Sequence, residues 1–391
     1  MALAAIFTTL WGQLTYNPLS GYGMGFPYLT TSGSGLGMGR LSAVGIGNGL
    51  PEQPAHSAYL TAMQADFSGY GRTQVLQTPT QRARFGSGSL QNLQMSFARG
   101  KGWGFALGLA PQAIQGYQGS VHVQAPIAFR YTEKAEGLLS LAYIQGGIRW
   151  RSVGIGYQFG YLWGTYERQR SIQSSAQLLP DFLLTTLRID GVQHRVGLLW
   201  QDSLRSWAVQ LSLAYAFQTK LNRDLTYSFQ KNFSFTSVLI DTLVRQEATL
   251  TYPSVVRGGM SLSKTSWHIG LEGGISTGTR TWGGAGLNPA QGSVSWDMRA
   301  GIEWQPDPRS TSFYKRLRYQ AGGYIAQMPY TNLRYYGATA GLGWQFPRSP
   351  NIIYIAAEYG YAPHPQVRET ALQFSVAALF RELWFIPPRI D

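Results

Sequence analysis

Trp207-Ala208-Val209-Gln210-Leu211-Ser212-Leu213-Ala214-Tyr215-Ala216-Phe217-Gln218 alternates bulky with small or polar residues without a break. Successive side chains of a β-strand point to opposite faces. The bulky set (Trp207, Val209, Leu211, Leu213, Tyr215, Phe217) therefore takes one face and the Ala/Gln/Ser set takes the other. The same period recurs along the chain. Trp103, Phe105, Leu107 and Leu109 interleave with glycine and alanine, and Ile155, Tyr157, Phe159 and Tyr161 with Gly156, Gln158 and Gly160. Trp296, Met298 and Trp304 alternate with Asp297, Arg299, Glu303 and Gln305. These stripes run about 9–12 residues, the length a tilted strand needs to cross a bilayer. Globular strands average about 5–6. The stripes also carry Trp or Tyr at an end, as interfacial girdles do. The pattern predicts an all-β protein, a transmembrane antiparallel β-barrel with apolar side chains outward. A soluble β-rich adhesin or sandwich is the competing fold.

Composition agrees. Charged residues are 13% and aromatic residues 14% of the 391, with 47 glycines and no cysteine. Soluble domains carry roughly 25% charge. Mean hydropathy is only −0.14, and no run of about 20 apolar residues marks a membrane helix. Without cysteine there are no disulfides, no thiol chemistry and no thiolate-bound metal. The formal charge is +13. The basic residues form no tract and are read as diffuse basicity of loops and turns. Attraction to anions such as lipid A phosphates is the weaker alternative, and no nucleic-acid partner is expected.

Connection lengths set the strand count. Tight links at Arg99–Lys101, Arg151–Ser152, Asp202–Arg205, Lys264–Ser266 and Pro347–Pro350 alternate with long ones at 112–136, 166–184, 220–247 and 279–291. Short periplasmic turns and long outer loops give this asymmetry. The resulting strands are 58–70, 89–99, 102–112, 137–149, 153–165, 185–201, 205–219, 248–263, 266–278, 292–304, 315–327, 333–346, 351–361 and 367–382. The count is about 14, with both termini periplasmic and the barrel over 58–391. Val121–Tyr131 is placed in the first long outer loop. Residues 1–12 are apolar and read as a signal-peptide remnant, with cleavage near Gly12 and Gln13. Residues 13–57 are Gly-rich and weakly periodic. They read as a plug, or hatch, inside the barrel rather than as a linker.

Several motifs resemble FadL/TodX-like outer-membrane barrels of the Bacteroidetes type. They are Asn17-Pro18-Leu19-Ser20-Gly21-Tyr22-Gly23, Trp103-Gly104 through Ala110-Pro111, Ala357-Glu358-Tyr359-Gly360 and the closing Leu383-Trp384-Phe385-Ile386. The family's Asn-Pro-Ala after the Gly-rich segment is replaced by Gln53-Pro54-Ala55. The resemblance implies a 14-strand barrel in the bacterial outer membrane, with a hatch that includes Asn17, Pro18, Gly21 and Tyr22. It implies a channel for uptake of hydrophobic small molecules such as fatty acids. The alternative is a non-transporting scaffold or secretion-associated (type IX-like) barrel that binds a protein partner. Outer-membrane lipid and lipopolysaccharide are the surrounding partners.

If the bulky stripe faces lipid, the inward set includes Arg257, then His268 and Glu272, then Asp297, Arg299 and Glu303. An arginine or lysine facing lipid at the midplane costs about 2–4 kcal/mol, so these charges must line the lumen. They form either a polar ligand site or a salt-bridge network that holds the plug. No enzyme, metal or cofactor is expected. None of His56, His122, His194, His268 and His364 sits in a hydrolase motif, and His194 falls on the lipid-facing phase. Gly33 through Gly39 lacks the Lys-Ser/Thr ending of a phosphate loop. Phe182, Leu183, Phe229, Phe233, Phe235, Leu239 and Ile240 in the long loops either capture a greasy ligand or a protein partner or pack on one another over the barrel mouth.

Overall fold

The computed structural model describes residues 26–27, 29, 31–45, 50–79, 82–98, 102–123, 128–174, 180–233, 236–277, 294–307, 310, 312–327, 334–346, 349–363 and 368–382. The chain folds into a closed 14-strand antiparallel barrel. The strands are β1 (Met63–Gln77), β2 (Arg82–Ala98), β3 (Trp103–Val123), β4 (Phe129–Trp150), β5 (Val153–Ser174) and β6 (Asp181–Leu204). β7 runs as Trp207–Ala216 and continues as Thr219–Phe233; β8 runs as Thr236–Tyr252 and continues past Pro253 as Ser254–Lys264. Then come β9 (Trp267–Thr277), β10 (Ser295–Trp304), β11 (Arg318–Gln327), β12 (Arg334–Gln345), β13 (Ile352–Ala362) and β14 (Arg368–Glu382). Both halves of β7 pair with β6 on one side and β8 on the other, which makes each interrupted pair a single wall strand. β14 pairs with β1 from Arg368↔Gln77 to Glu382↔Met63 and closes the cylinder.

The faces are inverted relative to a soluble protein. On β5 the outward set Val153, Ile155, Tyr157, Phe159, Tyr161 and Trp163 is exposed, while the inward set through Gly164 is buried. That stripe, at about 3.3 Å per residue and a tilt near 45°, rises roughly 25 Å, the height of a membrane's apolar band. Buried polar groups such as Gln158, Gln210, Arg257, Glu272 and Arg299 occupy the interior. Only a lipid surround makes this arrangement favourable. His194 takes the outward phase, with Nδ1 2.5 Å from the Tyr157 hydroxyl.

The long connections differ from expectation. The ranges 112–136, 166–184 and 220–247 are largely strand, because β3 to β8 continue well past the apolar stripe. Val121–Val123 ends β3 and Phe129–Tyr131 opens β4, and the two pair with each other as strand rather than loop. Beyond the lipid edge both faces can be polar, as in Glu167-Arg168-Gln169-Arg170. The period-two signal then fades while the backbone ladder persists. The range 279–291 lies outside the described residues. β1 opens at Met63 rather than at 58, because Pro54–Tyr59 forms a 3-10 turn. β11 opens at Arg318, after a helical turn over Phe313–Arg316. That turn lengthens one connection at the short-turn end, and the Gln77-to-Arg82 link is tight at the other end. Loop length is thus an imperfect marker of side, although the strand parity holds. Segment 1–12 lies outside the described residues, as do Asn17, Pro18, Gly21 and Tyr22.

Phe159 sits at the centre of the β5 stripe. Phe159→Arg is expected to destabilise the barrel by about 2–4 kcal/mol in lipid vesicles, and Thr165→Arg, above the stripe, by about 0–1 kcal/mol. Urea unfolding of the two variants in the same vesicles measures the difference.

Candidate functional site

Residues 31–45 and 50–60 run through the lumen, and nearly all of them are buried. This inner segment is tied to strands around most of the wall. Asp66 on β1 accepts from the Gly33 N–H at 2.9 Å. Gln145 on β4 and Gln158 on β5 donate to the Leu50 and Pro51 carbonyls. Arg195 on β6 also donates to the Pro51 carbonyl, at 3.1 Å. Gln210 on β7 accepts from the Gly45 N–H, Gln320 on β11 from Gly37, and Thr339 on β12 from Gly39. On β13, Glu358 receives the Arg40 Nε at 2.5 Å and the Tyr324 hydroxyl at 2.6 Å. Most partners on the segment are backbone groups, which glycine exposes best.

The fit is tight at one juncture. Gly39 has φ +68°, and a Cβ there would lie 2.4 Å from the Ala300 carbonyl oxygen. The wall answers with glycine: a Cβ on Gly301 would meet the Met38 carbonyl oxygen at 2.4 Å, and one on Gly322 the Gly39 nitrogen at 2.3 Å. Only a strand without side chains lets the segment's backbone approach this closely.

Beside this juncture lies a buried ion network. Glu272 accepts from the N–H groups of Ser42 and Ala43 at 2.9 and 2.8 Å, and it pairs with Arg299 at 3.1 Å and Arg257 at 3.4 Å. Asp297 takes two hydrogen bonds from Arg257, at 2.7 and 2.8 Å, and one from Arg299 Nε at 2.8 Å. Arg299 also donates to the Arg40 carbonyl at 2.7 Å. Glu52 of the segment pairs with Arg257 Nε at 2.9 Å and accepts from the Ser42 hydroxyl. Of the six lumen residues named from the sequence, the structure brings Arg257, Glu272, Asp297 and Arg299 together. His268 and Glu303 stand apart, nearer the short-turn end, around a cavity of about 220 Å³ between the segment and the Ser263–His268 turn. There Arg318 and Gln320 hold Glu303 at 2.8 and 2.7 Å, and His268 Nδ1 lies 2.5 Å from the Ser263 hydroxyl. The sequence reading omitted Glu52, Arg40, Glu358 and the Arg72–Glu369 pair at 2.8 Å. Strand phase alone would have placed Glu358 and Glu369 inward; nothing in the sequence marks Glu52.

Among the described residues the wall has one seam. β2 and β3 pair only from Leu93↔Leu109 to Ala98↔Gly104. Above that point β2 continues along β1 and β3 continues along β4, but not along each other. The causes are local. Pro111 has no N–H to give to a ladder. Bulges in the flanking pairings, at Ser68/Gly69 and at Pro111/Ala113, turn both edges away. Phe26–Pro27 pairs with Ile114 and Ala113 on the β3 edge. Around the seam, Ser68, Gln74, Gln91 and Asn92 are buried, with side-chain polar atoms that have no hydrogen-bond partner among the described residues. Each such orphan costs about 1–3 kcal/mol. On the lumen side, Ala110 and Ala113 join an apolar cluster with Leu139, Leu162, Leu187 and Leu221 from β4 to β7.

The family model described as BamG matches residues 1–391. The chain belongs to the BamG family. No curated protein sequence matches this BamG-family barrel. Its fold is similar to that of a Pseudomonas aeruginosa FadL homologue, with 12% identity, TM-score 0.65, and 91% of this chain and 99% of that one covered. The Pseudomonas putida toluene transporter TodX gives 14% identity and TM-score 0.61 over 91% and 99%. The CymD monoaromatic hydrocarbon channel gives 12% and 0.59 over 92% and 99%.

Two outcomes follow for the inner segment. Glu272→Gln removes the charge at the centre of the network and is expected to cost about 3–5 kcal/mol, because two arginines lose a buried partner. A urea titration reads that loss. Acid should also release the segment. Burial opposes charge on Glu52, but Arg257, Arg299 and Arg195 outweigh it and hold the carboxyl below its ordinary 4.5. Its contribution is complete above pH 4.5 and is lost as pH falls through the lower folded value. Burial pushes His56 down to about 4, so it stays neutral until pH falls through 4. A spin label on the single cysteine of Ser34→Cys should stay immobile from pH 8 to 5 and gain mobility below about pH 4.

Proposed function

We propose that this barrel is an outer-membrane channel for uptake of hydrophobic small molecules, with the short-turn end and both chain ends toward the periplasm. The observation that carries the reading is the seam between β2 and β3, which borders the apolar cluster inside the upper barrel. An axial path would have to displace the inner segment, whose ties reach β1 and β4 to β13. A path through the wall would leave those ties in place and would have to pass only the short pairing of Phe26–Pro27 on the β3 edge. The apolar cluster suits a greasy tail, and the orphaned amides of Gln91 and Asn92 suit a polar head. An amphiphile of the fatty-acid kind satisfies both. The likeness to hydrocarbon channels supports the fold that this reading requires. The segment acts as a fixed hatch, and the ion network of Arg257, Glu272, Asp297 and Arg299 is its anchor rather than a ligand site. No bond-making chemistry is assigned.

A second reading has its own observation. β3 to β8 tower on one side, with β6 alone spanning 24 residues, while β9 to β13 have 10 to 12 among the described residues. A one-sided crown suits a barrel that holds a protein partner and transports nothing.

Cross-linking separates the two. The chain has no cysteine, so Asn92→Cys with Ala110→Cys gives a unique pair across the base of the seam. Oxidation is expected to cut uptake of a fluorescent long-chain fatty acid about tenfold or more, with recovery on reduction. Uptake that is unchanged in the oxidised protein would sink the channel reading. A stoichiometric protein partner retained in mild detergent would favour the scaffold.

A further inference from the structure

The lipid-facing wall of β9 to β13 contains a groove of about 580 Å³. Its shape follows from register. Ala300, Gly323 and Ala338 lie side by side on β10, β11 and β12, flanked at the same level by Leu271 and Tyr359. One step toward the short-turn end, Ala321, Ala340 and Ala357 continue the low floor. One step toward the other end, Met298, Ile325, Tyr336 and Tyr361 form a rim. The groove therefore lies just below the tyrosine rim, and a row of small side chains continues from it along the strands into the apolar band. No side chain of the described residues fills it, and its outward position faces the surrounding lipid.

Directly above the rim the surface turns cationic. Arg334 is two residues beyond Tyr336 on the same outward face of β12, in register with Gln327. Arg368 is two residues beyond Thr370, whose register partner is the rim residue Tyr361. Gln77 links Arg368 in register to Arg82, and Arg84 follows on the same face of β2. All four arginines are exposed. No carboxylate among the described residues pairs with any of them. The connections above them, 78–81, 328–333 and 363–367, contain no Asp or Glu. The opposite side of the barrel is different: there Glu133, Glu136, Glu167, Asp190 and Asp224 are interspersed with the arginines. The basicity that reads as diffuse in the sequence is thus concentrated, in part, on one quadrant of the rim.

We propose that this quadrant is a binding site for a phosphorylated lipid of the leaflet on the long-hairpin side. One acyl chain lies in the groove between β10 and β13, and the phosphates meet Arg334 and Arg368, with Arg82 and Arg84 extending the contact. Charge complementarity selects this occupant. An uncharged lipid would leave four unpaired guanidiniums at the headgroup level, and a soluble anion would leave the groove unused. The site needs only that the barrel sits in a bilayer and is independent of whether the seam conducts.

Native mass spectrometry of the full chain in a mild detergent tests the site, with diphosphoryl lipid A and phosphatidylcholine as probes. The wild type is expected to retain lipid A and to lose phosphatidylcholine. The double variant Arg334→Gln/Arg368→Gln and the groove-filling Ala338→Phe should each lower lipid A retention about tenfold. Heat-modifiable gel mobility checks that each variant is a folded barrel; if Ala338→Phe fails it, Ala338→Leu takes its place. Equal retention by wild type and variants would overturn the proposal, as would equal retention of phosphatidylcholine. Loss in the arginine variant with none in the groove-filling variant would also overturn it, because the groove would then hold no chain.

Discussion

A peptide group inside a bilayer finds no water, so every N–H and C=O that crosses must bond to another part of the chain. Here that constraint is met by closing the sheet on itself, through the pairing of β14 with β1. Closure settles the outer surface, which needs only grease. It leaves a lumen lined with polar side chains that must also be satisfied. The inner segment answers that second demand with backbone groups more than with side chains. Ser42 and Ala43 offer their N–H groups to Glu272, and Gly37 and Gly39 offer theirs to Gln320 and Thr339. A bulkier segment would fill the space but would bury its donors. Glycine content at 33–39 is therefore a hydrogen-bonding device, and its glycine partners on the wall, Gly301 and Gly322, are the other half of it.

The barrel divides into two unlike halves. β8 to β13 carry the charges that grip the segment and, outside, the groove beneath the arginine rim. β3 to β7 rise higher and enclose an apolar cluster, and β3 borders the seam. The ionic network and the seam thus lie on different strands. The seam lies between β2 and β3, where the described tie to the N-terminal stretch is the short pairing of Phe26–Pro27 with Ile114 and Ala113. A partnered charge network near a moving wall would have to break and reform buried pairs, at several kcal/mol each. Here the network stands away from the seam.

Much of this was legible in the residues. Wherever a strand meets lipid, its alternation is unmistakable, and Trp207–Ala216 could be read as a strand with the correct inner face. The inward phase of Arg257, Glu272, Asp297 and Arg299 followed from the same rule. Legibility failed where its physical cause was missing. Above the bilayer, residues such as Glu167 and Arg170 have no lipid to sort them, so the upper strands looked like loops. Glu52 lies in a segment without period, and only its contact with Arg257 reveals its role. The seam was hidden as well: Pro111 was visible, but the two bulges that make it a parting point depend on pairing partners far away in the chain. The rim arginines sit one or two to a strand and become a group only when β12, β14 and β2 stand together.

The pairing of Met63–Gln77 with Arg368–Glu382 also bears on how the molecule is made. The inner segment precedes every wall strand in the chain, yet its ionic partners lie on β8 to β13. The closing contact joins the first strand to the last, the longest loop the barrel contains, and such contacts form slowly. A segment that already binds β8 to β13 through Glu52, Arg40 and the Ser42 backbone draws the late strands toward the early ones before the edges meet. It would then serve as a mandrel during assembly, shortening the effective loop that closure must span, as well as an obstruction afterwards. Loosening its grip would tax the birth of the barrel as much as its later state.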